Sequence, residues 1–195
     1  MIISIAGTPG SGKTTVGKLL AERLGLKFYS IGALRGKMAV DKGIDLEALN
    51  EIGESEAYTD KIVDDYQKVL GEKEDQFVIE GRLSWYFIPN SFKVYLKCDI
   101  EEAARRVFKD RGNDREDEKK YASPKEVTQS FLNRAGSDTR RYKKYYGINY
   151  PDESKFDLVI DTTNYEKPEV AVEKIIDEIR RQKLIPAGST VPRKL

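Results

Sequence analysis

Eight residues near the start of the chain constrain its architecture more than any others: Gly7-Thr8-Pro9-Gly10-Ser11-Gly12-Lys13-Thr14, with Thr15 following. The spacing is G-x-x-x-x-G-K-[ST]. It follows an apolar run at residues 2–6 and opens a helical pattern over 13–24, the context in which such a loop works. Gly7, Gly10 and Gly12 let the backbone fold into a nest of N–H groups that a Cβ would obstruct. Those groups and the helix N-terminus then point at phosphate oxygens. Lys13 adds a point charge near the β- and γ-phosphates, and the Thr14 hydroxyl faces a Mg²⁺ ion. Residues 7–15 therefore predict nucleoside triphosphate binding, without naming an acceptor.

The rest of the chain fits the α/β frame that this loop requires. Short runs rich in β-branched and aromatic residues lie at 27–29, 77–80, 92–97 and 156–161, as buried parallel strands do. Helical patterns alternate with them near 32–42, 45–70, 100–110, 124–145 and 168–182. With 195 residues, one domain is expected over 1–182, followed by a basic tail at 183–195. Residues 110–120 are polar and without pattern, and read as a mobile loop.

Composition then removes whole classes of chemistry. There is no histidine, which excludes Ser-His-Asp and Cys-His catalysis and His-ligated metals. The single cysteine, Cys98, excludes an intrachain disulfide. With 34 basic and 33 acidic residues the net charge is +1, which argues against a nucleic-acid partner. No apolar run is long enough for a membrane span, and no signal-like segment opens the chain, so a cytoplasmic protein is expected.

Glu80 closes the apolar run at 77–79, a Walker B pattern that puts a carboxylate in the Mg²⁺ shell through water. Arg35 and Arg82 each follow a strand closely, at the carboxyl ends where ligands sit in doubly wound sheets. Two guanidiniums there suit a second, acceptor phosphate. Arg105, Arg106 and Arg111 flank the polar loop. Arg134, Arg140 and Arg141 lie on the helix over 124–145, with Arg134 and Arg141 on one face. Together these arginines read as a closing lid that neutralises charge and excludes water. The guanine-reading N-K-x-D motif is absent: its nearest match is Leu96-Lys97-Cys98-Asp99.

The motifs resemble P-loop nucleoside monophosphate kinases, most closely the archaeal-type cytidylate kinases, over residues 1–180. Beyond the phosphate loop, the resemblance rests on Ser30-x-Gly32-x-x-Arg35, on Ile79-Glu80-Gly81-Arg82-Leu83, on the segment 140–148 and on 157–163. It implies a five-stranded parallel sheet of order 2-3-1-4-5, a nucleotide-binding helical insert near 32–72 and a lid at about 110–124. It implies ATP with Mg²⁺ as donor, and CMP or dCMP as acceptor. Ser30, Gly32, Arg35, Gly81, Arg82 and Asp138 then hold the acceptor, Asp138 by orienting arginines or the base. Lys13, Arg134 and Arg141 neutralise the transferring group, and Thr14 and Glu80 serve the metal. Two departures, Ala33 and Ser84-Trp85, fall where the acceptor pocket is expected and leave the base open. The Tyr145-Tyr146 pair reads as packing. A kinase for AMP, UMP or a phosphorylated metabolite, or a nucleotide-gated binding protein, are the alternatives. Oligomerisation is expected to be absent or weak.

Overall fold

The computed structural model describes residues 1–109 and 121–185. The expectations for a mobile loop at 110–120 and for the tail beyond residue 185 lie outside the described residues, as does Arg111.

Five parallel strands form one sheet: β1 (Ile2–Gly7), β2 (Lys27–Ser30), β3 (Phe77–Glu80), β4 (Phe92–Lys97) and β5 (Leu158–Asp161), in the order β2-β3-β1-β4-β5. This is the expected order. Alternation along each strand splits the core into two layers. Ile3, Ile5, Val78, Val94 and Leu96 face helices α1 (Lys13–Leu24) and α8 (Glu169–Arg181). Ile2, Phe77 and Ile79 pack on the opposite face, against Ile31 of α2 (Ile31–Asp41) and Val63 and Leu70 of α4 (Tyr58–Lys73). β1, buried along its whole length, is the central strand, so the phosphate loop leaves the middle of the sheet.

Local signals set the helix ends. Asp45 caps α3 (Leu46–Ser55) by accepting from Ala48 N at 2.8 Å. Ser123 caps α7 (Pro124–Tyr146), with Pro124 in the first turn, and left-handed Gly147 closes it. The single helix expected over 45–70 is instead two. The chain turns extended at Glu56, and α3 and α4 become separate arms of an insert after β2. Four residues, α5 (Ser84–Phe87), follow β3, and α6 (Ile100–Lys109) follows β4. Helix α7 packs on both α6 and α3. No helix among the described residues is long and apolar enough to cross a membrane.

Candidate active site

The loop 7–14 is fixed from below. Thr8 N donates to Leu96 O at 3.1 Å, and Thr8 Oγ1 accepts from Cys98 N at 3.1 Å. Thr162, after β5, donates its hydroxyl to Ser11 O at 3.3 Å. Gly7 has φ 151°, and a Cβ there would lie 2.0 Å from Leu96 O, so only glycine lets β1 run this close to β4. A Cβ on Gly10 would stand 2.9 Å from both Ala103 and Phe131, showing how tightly α6 and α7 close the loop from behind. Gly12, at φ 86°, starts α1 without a side-chain cap, leaving the helix's first N–H groups to an anion. Lys13 Nζ donates to Thr8 O at 2.6 Å. Burial lowers the Lys13 pKa to about 7, with Arg82 and Arg134 adding to the effect against Glu80 and Asp138. Lys13, Arg82 and Arg134 thus lie near enough for their charges to act on one another beside the phosphate loop.

At the end of β3, buried Glu80 accepts from Thr14 Oγ1 at 3.3 Å and, more closely, from Ser30 Oγ. Ser30 also caps α2, accepting from Ala33 N at 3.0 Å, so the cap and the carboxylate are held together. This all-oxygen set at the phosphate loop is the donor chemistry that Mg²⁺ takes. Gly32 leaves Glu80 room: a Cβ there would be 3.3 Å from Glu80 Oε1. Gly81 is needed for packing, since a Cβ would be 2.4 Å from Ser84 Oγ.

Arg35 and Arg82 are tied into a row of alternating charge. Arg35 Nη1 donates to Asp60 Oδ1 at 2.7 Å and to Thr59 O, and its Nη2 donates to Asn50 Oδ1 at 2.9 Å. Asp60 also accepts from Arg141, whose Nη2 holds Asp138, and Asp138 in turn pairs with Arg82. Burial costs Arg82 and Arg141 solvation, but the surrounding acids and tyrosines outweigh it and hold both above the usual arginine value. Sequence reasoning set Arg141 at the transferring group. The structure buries it to 2% exposure, with Asp60, Asp138 and Ser137 as partners. Arg134 lines a cleft of about 310 Å³ between α3 and α7, together with Asn50 and Ser137.

Other arginines expected near the lid have structural partners. Arg106 donates to the carbonyls of Thr162, Thr163 and Tyr165 and pairs with Glu102, so it braces the loop after β5. Arg105 pairs with Glu102, and Arg140 with Glu54 across α3 and α7. Ser84 and Trp85 are buried rather than open to an acceptor: Ser84 donates to Gln67 Oε1 at 2.7 Å, and Trp85 Nε1 to Arg82 O at 3.0 Å. Ala33 is exposed on the first turn of α2. Tyr145 donates to Gly53 O, and Tyr146 to Asp64, so this pair joins α7 to the insert. Asn50 and Asp60 were not foreseen. No local pattern marks Asp60, because the apolar stripe of α4 faces outward while its acids are buried.

Relatives place this geometry. The profile of the cytidylate kinase-like family matches residues 2–164. The cytidylate kinase of Archaeoglobus fulgidus is 35% identical over 185 residues, covering 94% of this chain and 97% of its own. That of Methanocaldococcus jannaschii is 31% identical over 188 residues, 93% of this chain and 100% of its own. Among solved structures, an uncharacterized protein from Eubacterium ventriosum superposes with a TM-score of 0.65 at 20% identity, covering 92% of this chain and 98% of that one. Shikimate kinase from Aquifex aeolicus gives 0.54 at 25% identity, covering 94% and 99%. The solved structures share the fold. The profile runs from β1 through β5 and takes in the phosphate loop, Glu80 and the arginine row: the chain belongs to the cytidylate kinase-like family.

Proposed function

We propose that this protein transfers the γ-phosphoryl group of ATP to the phosphate of CMP or dCMP, giving the diphosphate and ADP. The observation that carries the reading is the placement of Arg35 and Arg82. They come from the insert and from the loop after β3; the charge of Arg82 acts on Lys13 of the phosphate nest, and Arg35 is joined to Arg82 through the buried ion pairs of Asp60, Arg141 and Asp138. The relatives' name, cytidylate kinase, held over nearly their whole length, supports cytidine as the base. Residues 1–182 act as one kinase domain, and α2 to α4, residues 31–73, form the acceptor-binding insert.

An acceptor phosphate oxygen attacks the γ-phosphorus, the bond to the β-phosphate oxygen breaks, and its electron pair leaves with ADP. That nucleophile is already ionised, because the second pKa of a phosphate ester is about 6. No general base is required, in keeping with a chain that has no histidine. Catalysis is alignment and charge stabilisation. The nest of residues 7–14 holds the β- and γ-phosphates. Lys13 and Arg134 meet the transferring group, and Arg35 and Arg82 grip the acceptor, with Ser30, Gly32 and Gly81 shaping that side. Asp138, held by Arg141, aims Arg82. Thr14 and, through water, Glu80 would hold Mg²⁺, which when bound neutralises charge on the β- and γ-oxygens.

The test is ADP formation from Mg·ATP with CMP, dCMP, UMP, AMP and GMP in turn. Strong stimulation by CMP or dCMP is expected. Preference for another monophosphate would move the base assignment, and no stimulation by any would overturn the reading.

A further inference from the structure

We propose that Asp60 is a positioning residue for the acceptor phosphate: it acts through Arg35 and Arg141 and makes the two acceptor arginines one rigid unit. This rests on the monophosphate-kinase reading and assigns a role to a residue that no motif singles out.

Asp60 lies in the first turn of α4 and is 4% exposed. Its Oδ1 takes Arg35 Nη1 at 2.7 Å and also Arg141 Nη1, which reaches Oδ2 at 2.6 Å. From Arg141 the row continues to Asp138 and ends at Arg82. Five side chains therefore connect α2, α4, α7 and the loop after β3, elements far apart in the chain. Three guanidiniums and two carboxylates leave the row with one net positive charge. Without the Asp60 carboxylate, Arg35 and Arg141 would face each other unbridged, carrying like charges through a site with little water. Arg35 would then be held by Asn50 and Thr59 O, and Arg141 by Asp138 and Ser137. The separation between Arg35 and Arg82 would no longer be set.

The donors also support positioning rather than inhibition. A guanidinium has five N–H groups. The contacts of Arg35 use three of them, and Arg82 meets Asp138 through Nη1. Donors remain on both arginines for a phosphate while the acids fix the rest. Asp60 itself is buried, with Arg35 and Arg141 as its hydrogen-bond partners. Displacement of about 1 Å at such a site is enough to cost up to about a hundredfold in rate.

The experiment is steady-state kinetics of wild type, Asp60→Asn and Asp60→Glu, varying the best monophosphate and ATP separately. Asn keeps the shape and loses the charge, whereas Glu keeps the charge and moves it. In both variants KM for the monophosphate is expected to rise, about tenfold or more for Asn and at least about threefold for Glu, with KM for ATP within about twofold of wild type. Asp65→Asn, one turn on and exposed, leaves both constants unchanged. In an Arg35→Ala background, Asp60→Asn should add little further, because the two act as one unit. A merely structural role would lower the melting temperature and the active fraction without moving one KM selectively. Should Asn fail to fold, the Glu variant decides. Wild-type monophosphate KM in the variants that fold, or full additivity with Arg35→Ala, overturns the proposal. If wild type phosphorylates no monophosphate, the kinase reading fails and the proposal falls with it.

Discussion

Replacing Asp64 by Asn should stabilise this protein at pH 8 and lose most of that advantage at pH 4.5. Asp64 is 6% exposed on α4, accepts from Tyr146 and takes a 3.5 Å contact from Gln67 Nε2. Burial raises its carboxyl from 3.8 to about 6, and nearby Asp60 adds to this, against Tyr146, Lys68 and Arg35. Between those two values the folded chain binds more protons here than the unfolded chain. Stability from this group is therefore full below pH 3.8 and is lost as pH rises through about 6. At about 1.36 kcal/mol per unit, the ionised carboxylate costs about 3 kcal/mol at pH 8 and about 1 kcal/mol at pH 4.5. Asn still accepts from Tyr146 and loses only the long contact to Gln67, worth about 1 kcal/mol or less. The difference in unfolding free energy, variant minus wild type, should thus move by about 2 kcal/mol in favour of Asn between pH 4.5 and 8. Urea unfolding of both proteins at the two pH values reads this directly, because the other carboxylates cancel in the difference. A difference that does not change with pH would refute the reasoning.

Three further outcomes follow from the site. Gly7→Ala drives a Cβ onto Leu96 O from a backbone angle that favours glycine, so it should cost about 3 kcal/mol or more and lower Tm by roughly 6–12 °C by calorimetry. Lys13→Ala should reduce kcat by about 10²–10³ while circular dichroism stays native, since it removes one preorganised charge and no core contact. Glu80→Gln should raise the Mg²⁺ concentration for half-maximal turnover by about 10–100-fold at fixed ATP, the effect expected of a carboxylate that would act on the ion through water. A smaller shift would move Glu80 away from the metal.

The parts legible in the sequence were those in which local chemistry decides the geometry. The glycine spacing of residues 7–14 gave the nest, and the runs at 77–80 and 92–97 are strands β3 and β4 to the residue. Arg35 and Arg82 were singled out because ligands gather at strand carboxyl ends, and the structure joins them in one row of ion pairs. Helix α4 shows what pattern reading misses. Its apolar stripe, Tyr58, Ile62, Tyr66 and Val69, is 39–52% exposed, while Asp60, Asp64 and Gln67 are buried beside Val63 and Leu70. Hydropathy would turn this helix the wrong way. Asp60 is there because guanidiniums from α2 and α7 meet it, and Asp64 because Tyr146 of α7 donates to it, long-range facts that no window along the chain contains. Spacing alone set Arg134 and Arg141 on one helix face and could not show that Arg141 is sealed behind Asp60 and Asp138. Arg106 looked like a lid arginine because it neighbours a polar loop, yet its partners are carbonyls some 56 to 59 residues away.

The central claim is that the crevice arginines grip the phosphate of a nucleoside monophosphate beside the triphosphate nest. The most direct measurement is the KM for CMP of Arg82→Ala at saturating Mg·ATP. A rise of about tenfold or more, with KM for ATP within about twofold of wild type, is predicted. An unchanged KM for CMP would contradict the assignment of Arg82 to the acceptor.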